Sequence, residues 1–167
     1  MSSRGLDQIM DMCIFIGLQA SGKSTFFRTH FAATHDYVSK DLLRNNRRPA
    51  RRQLQLVEES LRAGHSVVID NTNPTVEDRA ELIALGHQYQ ARVLGYFFEL
   101  QVKRSLQWNA QRTGKARVPD IGIYSILKKM TPPLYKEGFD KLYQVQAQEG
   151  FHFAVFPWPE DAIDDAP

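Results

Sequence analysis

The sequence predicts a three-layer α/β domain, in which a central parallel sheet is covered by helices on both faces and carries a helical lid. Three observations favour this fold class. Short apolar runs alternate with segments of helical periodicity, which implies a parallel sheet. A glycine-rich segment follows the first run, and 43% hydrophobic with 24% charged residues is globular composition. We therefore expect one domain over residues 1–167, with a short polar N-terminus at 1–11 and an acidic tail at about 158–167.

Each predicted strand is a short apolar run, and each predicted helix has apolar residues spaced by three or four. Glycine and proline mark boundaries: Gly64 ends the second helix, and Asn73 with Pro74 begins the third. The apolar faces comprise Leu54, Val57 and Leu61 in the second helix and Val76, Ala80 and Ile83 in the third. The predicted strands are 12–16, 37–39, 66–70, 92–100 and a last strand from 143–145 and 151–156. The predicted helices are 22 to about 34, a segment around 54–61, one from 73, 102 to about 111, and 121–130, with a loop at 113–118.

The totals exclude several classes of function. A net charge of +2 is too small for a protein that binds nucleic acid over its whole surface, so any anion site is local. Cys13 is the only cysteine, which rules out an intrachain disulfide, and its apolar neighbours predict a small buried side chain. No segment approaches the ~20 apolar residues of a membrane helix, and the N-terminus lacks the apolar stretch of a signal peptide. We expect a cytoplasmic protein with no membrane partner.

The glycine-rich segment predicts a phosphate-binding loop for ATP. Its residues satisfy the pattern G-x-x-x-x-G-K-[ST] between a predicted strand and a predicted helix. The glycines let backbone N–H groups point at phosphate oxygens, and the helix adds the positive end of its dipole. Lys23 is expected to contact the β- and γ-phosphates, and Ser24 to join the coordination of Mg²⁺. The predicted ATP-binding residues of this loop are Gly17, Leu18, Gln19, Ala20, Ser21, Gly22, Lys23, Ser24 and Thr25.

Two carboxylates follow predicted strands, where ligands bind in a doubly wound sheet. Asp41 could deprotonate an attacking hydroxyl, with Arg44 holding an anionic acceptor; equally, Asp41 could be a helix N-cap and Arg44 a solvated charge. Asp70 ends a buried strand beside the phosphate loop, a position that commonly contacts Mg²⁺. Asn71 follows it and could face the acceptor instead, whereas Asn73 before Pro74 is more typical of a turn.

Positive charge is concentrated in two further segments. The loop after residue 111 contains Arg112, Lys115 and Arg117, and its glycine favours a mobile lid that brings charge to the moving phosphoryl group. A solvated basic loop is the alternative. The second segment could follow a phosphodiester chain or could be a solvated helix face. Its arginines are Arg44, Arg47, Arg48, Arg51 and Arg52.

With these residues in view, the chain resembles the kinase domain of polynucleotide 5′-hydroxyl kinases, within the zeta-toxin-like group of P-loop kinases. The likeness spans about Met12 to Phe139. It lies in GLQASGKSTF at 17–26, YVSKDLLR at 37–44, IDNTNP at 69–74, a lid region ending in Val118-Pro119, and YKEGF at 135–139. Lys40 stands where that family usually has arginine before the base.

The resemblance implies an ATP- and Mg²⁺-dependent kinase of DNA or RNA 5′-hydroxyls. Asp41 matches the general base, Arg44 the arginine that binds the acceptor's phosphate, and Arg112 best matches the lid arginine, with Arg117 still open. Asp70 or Asn71 matches an acceptor-side residue, and Arg48 is a further acceptor candidate. We expect a stand-alone module that works with a separate repair phosphatase or ligase. The alternatives are a kinase of a small-molecule hydroxyl and an ATP-binding regulator that phosphorylates nothing.

Overall fold

The computed structural model describes residues 9–161, so most of the polar N-terminus and the tail residues Asp164 and Asp165 lie outside the described part. Its centre is a six-stranded sheet of order β2-β3-β1-β4-β5-β6. The first five strands pair in parallel, and β6 runs antiparallel to β5. The strands are β1 (Asp11–Ile16), β2 (Asp36–Val38), β3 (Val67–Asp70), β4 (Arg92–Phe98), β5 (Lys141–Ala147) and β6 (Phe153–Pro157).

Helices lie in the connections between the parallel strands, as the sequence predicts. They are α1 (Lys23–His30), α2 (Pro49–Arg62), α3 (Val76–Gln88), α4 (Val102–Gln111) and α5 (Asp120–Lys129). Short 3₁₀ turns add Lys40–Leu43 after β2 and Gly114–Ala116 after α4. The three-layer α/β fold is therefore confirmed. None of the helices within residues 9–161 is both long enough and apolar enough to cross a membrane.

The two faces of β1 pack into different apolar clusters. Met12, Ile14 and Ile16 belong to one cluster, with Val57 and Leu82 from the helices on that face. The alternate residues of β1 pack on the other face with Phe26, Phe98 and Val145. Because successive strand side chains point to opposite faces, a strand covered on both sides is apolar throughout. Cys13 is buried in the second cluster, and burial raises the pKa of its thiol far above the usual range.

The prediction for α3 is wrong at its start and on its face. Asn73 adopts φ 43°, a left-handed conformation, and its Nδ2 donates to the Phe15 carbonyl oxygen at 2.8 Å, so it cannot begin a helix. The helix begins after Thr75, whose side chain forms a capping box with Asp78. Its buried residues are Arg79, Leu82, Ile83 and Gly86, whereas Val76 and Ala80 are exposed.

Two other boundaries differ from the predictions. The first helix ends at His30 and not near Thr34, because Phe31 turns away (φ −127°) and packs edge-on against Phe15. The predicted last strand is two strands. A turn at 148–152 separates β5 from β6, and the resulting hairpin puts an antiparallel strand at the edge of the sheet that was expected to be wholly parallel.

Candidate active site

The loop between β1 and α1 requires its glycines for both conformation and space. Gly22 adopts φ +95°, and a Cβ there would lie 2.9 Å from Phe153. A Cβ on Gly17 would lie 2.9 Å from the Cβ of Phe98. Both positions therefore exclude larger residues, and the loop is held at the carboxyl end of β1 with the N-terminus of α1 beside it.

Lys23 folds back into this loop. Its Nζ donates to the carbonyl oxygens of Gly17, at 3.1 Å, and of Leu18. Burial lowers the pKa of Lys23 to about 8; Asp70 and Asp41 oppose that change, and the charge of Arg112 adds to it. The lysine is thus within electrostatic reach of two carboxylates and an arginine that come from three other segments of the chain.

The carboxylate of Asp70 meets the loop directly. Its Oδ2 accepts hydrogen bonds from Ser24 Oγ at 3.0 Å and from Tyr37 OH at 2.6 Å. Burial and the neighbouring Asp70 raise the pKa of Tyr37 to about 12, so the phenol keeps its proton and remains a donor. The position of Asp70 at the end of β3, one strand from β1, brings these three side chains together.

Asp41 is presented to solvent and does not cap a helix. The cap of the 3₁₀ turn is Ser39, whose hydroxyl accepts from the Asp41 N–H. The Asp41 side chain is 81% exposed, and its nearest charged partner is Arg44 Nη2 at 3.6 Å. Arg44 Nη1 also donates to the Lys115 carbonyl oxygen at 2.9 Å. An exposed carboxylate, an arginine and the loop after α4 thus meet at the protein surface, and this group of Asp41, Arg44 and Lys115 is called the mouth of the site.

Asn71 faces the protein. Its Oδ1 accepts from the Lys40 N–H at 2.8 Å, and its Nδ2 donates to Gln53 Oε1 in α2. The amide therefore links the end of β3 to the turn that carries Asp41. Its neighbour Asp70 points the other way, toward Ser24.

The loop after α4 is fastened at its base by Asn109. This buried side chain donates to the Val118 carbonyl oxygen at 2.6 Å and accepts from the Val118 N–H at 3.0 Å. The segment between them carries both lid candidates. Arg112 is half-buried, affects the pKa of Lys23 and donates to the Ala116 carbonyl oxygen at 3.4 Å, whereas Arg117 is exposed. Arg112 is thus the less exposed of the two and stays the predicted lid arginine.

The arginine-rich segment divides into two parts. Arg52 is bound along α2, with Glu59 at 3.7 Å and Gln55 at 3.3 Å. Arg47, Arg48 and Arg51 are exposed and pair with no carboxylate among residues 9–161. Along the chain, these exposed arginines follow Asp41 and continue into the first turn of α2.

The site contains a phosphate loop, a buried lysine and a strand-end carboxylate, and a comparison with protein families identifies the family of the domain. The model of the AAA domain family AAA_33 matches residues 12–133. The chain belongs to this family. The match covers every side chain assigned above to the candidate site, and it confirms the resemblance to P-loop kinases at the level of the family.

Proteins similar to this AAA_33 domain include kinases with different acceptors. A bifunctional polynucleotide phosphatase/kinase from Schizosaccharomyces pombe is 24% identical over 81% of this chain and 33% of its own length. The Pnkp1/Rnl/Hen1 RNA repair complex superposes with a TM-score of 0.65 at 20% identity, covering 98% of this chain and 53% of that chain. A gluconokinase from Sinorhizobium meliloti 1021 superposes at 0.61 with 17% identity, covering 84% and 85%. The chain spans a third or less of the curated relatives that it matches.

The residues of the AAA_33 domain fit a magnesium–nucleotide complex. Ser24 and Asp70 supply a hydroxyl and a carboxylate oxygen 3.0 Å apart, which are the hard ligands that Mg²⁺ takes. Residues 9–161 contain no cluster of three or more His, Cys, Asp or Glu side chains placed to hold a metal. Mg²⁺ commonly binds through one or two protein ligands plus phosphates and water, and this pair suits that arrangement.

Three side chains of this AAA_33 domain were missed in the sequence. Tyr37 binds the carboxylate of Asp70, Gln53 binds Asn71, and Asn109 closes the base of the loop. Tyr37 lies two residues from Ser39, so strand alternation could have placed it on the same face. Gln53 and Asn109 carried no comparable signal, because each binds a residue of another segment, 18 and nine positions away.

Proposed function

We propose that the chain is an ATP-dependent kinase that transfers the γ-phosphate to the 5′-hydroxyl of DNA or RNA. The observation that carries the proposal is the mouth formed by Asp41 and Arg44. Its carboxylate is 81% exposed, so it can accept a proton from a substrate, and its arginine lies 3.6 Å away. A regulator that phosphorylates nothing needs no carboxylate aimed at an acceptor.

Each charged group has a defined role in this reaction. Asp41 takes the proton from the 5′-hydroxyl as that oxygen attacks the γ-phosphorus, and the bond to the β–γ bridging oxygen breaks to release ADP. Lys23 and Arg112 stabilise negative charge on the phosphoryl oxygens. Arg44 exchanges the Lys115 carbonyl for an acceptor phosphate next to the attacking hydroxyl.

Ser24 and Asp70 are the residues that hold Mg²⁺ in this proposal, with Tyr37 orienting the carboxylate. The ion, when bound with ATP, neutralises charge on the β- and γ-phosphate oxygens. Asp70 is therefore assigned to the metal, and Asn71 supports the turn of Asp41 through Lys40. Arg48 and its exposed neighbours attract the phosphates farther along the acceptor strand.

Nucleic acid is favoured over a small acceptor by the exposed arginines that continue from the mouth. A compact substrate such as a sugar has no use for positive charge beyond Arg44. The relatives that include a polynucleotide phosphatase/kinase support the same choice. A repair phosphatase or ligase acting on the same strand end is the partner that this reaction suits.

The direct test compares two oligonucleotides that differ only at the 5′ end. The protein is incubated with γ-labelled ATP, Mg²⁺ and a 5′-hydroxyl strand or the same strand carrying a 5′-phosphate, as DNA and as RNA. We expect label only on the 5′-hydroxyl strands, and labelling at least ~10²-fold slower with Asp41→Asn. Gluconate serves as the small-molecule acceptor. Label on gluconate but on neither strand would overturn the proposal.

A further inference from the structure

Aromatic side chains surround the phosphate loop on the side away from Asp41. Phe153 of β6 and Trp108 of α4 both approach Gly22, at 2.9 and 3.5 Å from the Cβ position that this glycine lacks. The ring of Phe151 lies 6.4 Å from that of Trp108, centroid to centroid, at an interplanar angle of 31°. Phe153 and Trp108 thus border the phosphate loop, and Phe151 lies beside Trp108. No step of the proposed reaction uses these rings.

The order of the strands separates these rings from the acceptor. Asp70 and Asp41 follow β3 and β2, on one side of β1. The rings belong to α4, the β5–β6 turn and β6, on the other side. A triphosphate whose γ end lies between Lys23 and Asp41 must leave the loop with its nucleoside on the opposite side, and the rings are there.

The backbone holds Phe151 in place at an energetic cost. Gly150 and Phe151 adopt φ 69° and 59°, and the Gln148 N–H donates to the His152 carbonyl oxygen at 2.7 Å to close the turn. A left-handed conformation is unfavourable for phenylalanine, and the residue remains 69% exposed, so little burial offsets the strain. Such strain is concentrated at ligand sites, where the surrounding structure enforces it.

The ring of Trp108 is fixed in place by its neighbours. Arg104 lies with its guanidinium carbon 5.6 Å from the Trp108 centroid, and its Nη1 donates to the Ala147 carbonyl oxygen at 2.6 Å. Phe153 packs against Phe26 of α1 at 5.3 Å, which ties the same hairpin to the phosphate loop. The ring of Trp108 is therefore held rigidly, whereas the exposed ring of Phe151 is able to turn.

We propose that Trp108 and Phe151 hold the nucleobase of the phosphate donor between their rings. Two stacked layers need roughly 7 Å between the outer rings, since carbon atoms in contact lie about 3.5 Å apart. The observed 6.4 Å at 31° reaches that spacing with a small rotation of Phe151. Stacking uses the face of the base, which every base has, so it fixes the base in place with little dependence on identity.

The test separates binding of the base from binding of the phosphates, and it rests on the ATP binding of the proposed function. Dissociation constants are measured for ATP and for inorganic tripolyphosphate, each with Mg²⁺, in the wild type, in Phe151→Gly and in Phe156→Gly. Phe156 is also an exposed phenylalanine of the hairpin, 45% accessible, and serves as the matched control. We expect Phe151→Gly to weaken ATP binding about fivefold or more, to leave tripolyphosphate within twofold, and to melt no lower than the wild type. Phe156→Gly should leave both constants unchanged.

A spectroscopic measurement tests Trp108 without removing it. The chain has two tryptophans, so Trp158→Phe leaves Trp108 as the single reporter. We expect ATP to quench its fluorescence and tripolyphosphate to leave it unchanged. Equal quenching by both ligands, or an unchanged ATP constant in Phe151→Gly, overturns the proposal.

The outcomes distinguish this inference from the proposed function. ATP binding that depends on Phe151, without label on any 5′-hydroxyl strand, leaves the base site standing and removes the nucleic-acid acceptor. Label on the strands with unchanged ATP binding in Phe151→Gly removes the base site alone. A wild type that binds no ATP removes both.

Discussion

Replacing Lys23 by methionine is expected to abolish phosphoryl transfer and, at the same time, to stabilise the protein in the absence of nucleotide. The lysine is 8% exposed and donates to two loop carbonyls, so its charge is desolvated without a phosphate to compensate. Methionine has similar length and no charge. The gain in stability and the loss of transfer therefore have a common cause. The buried charge of Lys23 serves to bind phosphate, and without nucleotide no phosphate compensates it.

The size of the effect follows from the pKa. Burial lowers the pKa of Lys23 from 10.5 to about 8, which corresponds to about 3 kcal/mol at ~1.36 kcal/mol per pKa unit. Methionine gives up the hydrogen bonds to Gly17 and Leu18, at about 1 kcal/mol each. The net gain is about 1–2 kcal/mol, or roughly 2–8 °C in melting temperature for a domain of this size.

The gain also has a defined pH dependence. Between pH 8 and 10.5 the unfolded chain binds more protons at this lysine than the folded protein, so wild-type stability at this group rises with pH. Below pH 8 the penalty is complete, and above 10.5 it is gone. The advantage of Lys23→Met should therefore be largest at pH 7, vanish at about pH 9 and reverse toward pH 10.5, where only the lost hydrogen bonds remain.

Thermal denaturation without nucleotide, from pH 7 to 10, measures this difference. Lys128→Met in α5 is the matched control, because Lys128 is exposed and its replacement should leave the profile unchanged. A Lys23→Met variant that melts below the wild type at pH 7 would refute the reasoning about desolvation. Retained transfer of the γ-phosphate by the variant would count against the phosphate loop itself.

Three further predictions concern turnover and acceptor binding. Asp41→Asn should reduce turnover by ~10²-fold or more and leave the ATP dissociation constant near wild type, whereas equal losses in both would contradict its role as base. Arg112→Ala should lower kcat by ~10²-fold or more in single-turnover assays, and a larger loss for Arg117→Ala would move the lid arginine to that position. Affinity for a single-stranded acceptor should fall steeply with salt, by roughly 0.7 in log–log slope per phosphate contact, and removing Arg47 or Arg48 should flatten that slope. A salt-insensitive acceptor constant would favour a small molecule.

Patterns that are contiguous in the chain predicted much of this fold. The apolar run before Gly17 and the motif that follows it predicted β1, the phosphate loop and the start of α1. The spacing of Leu54, Val57 and Leu61 predicted α2, of which Val57 and Leu61 are buried. These predictions succeed because a strand, a helix and a glycine-rich turn each depend mainly on neighbouring residues.

Errors arose where long-range contacts override local preference. Asn73 and Pro74 have the local form of a helix start, but the bond from Asn73 to the Phe15 carbonyl, 58 residues away, holds them in a turn. The C-terminal hairpin is predicted as one strand because its two apolar runs, 143–145 and 151–156, do not show the direction in which they pair. Its antiparallel pairing depends on the turn at 148–152.

The sequence by itself determined the class of the domain, the phosphate loop and the identities of Lys23, Asp41 and Asp70 as candidates. Only the tertiary structure decided how these groups are arranged. It joined Ser24 to Asp70 across 46 residues, turned Asn71 into the protein, and brought Phe151 to Trp108 beside Gly22. The order of residues along the chain does not contain these distances. In a parallel sheet, crossover connections join successive strands, and the order of the strands in space decides which carboxyl ends are neighbours at the site.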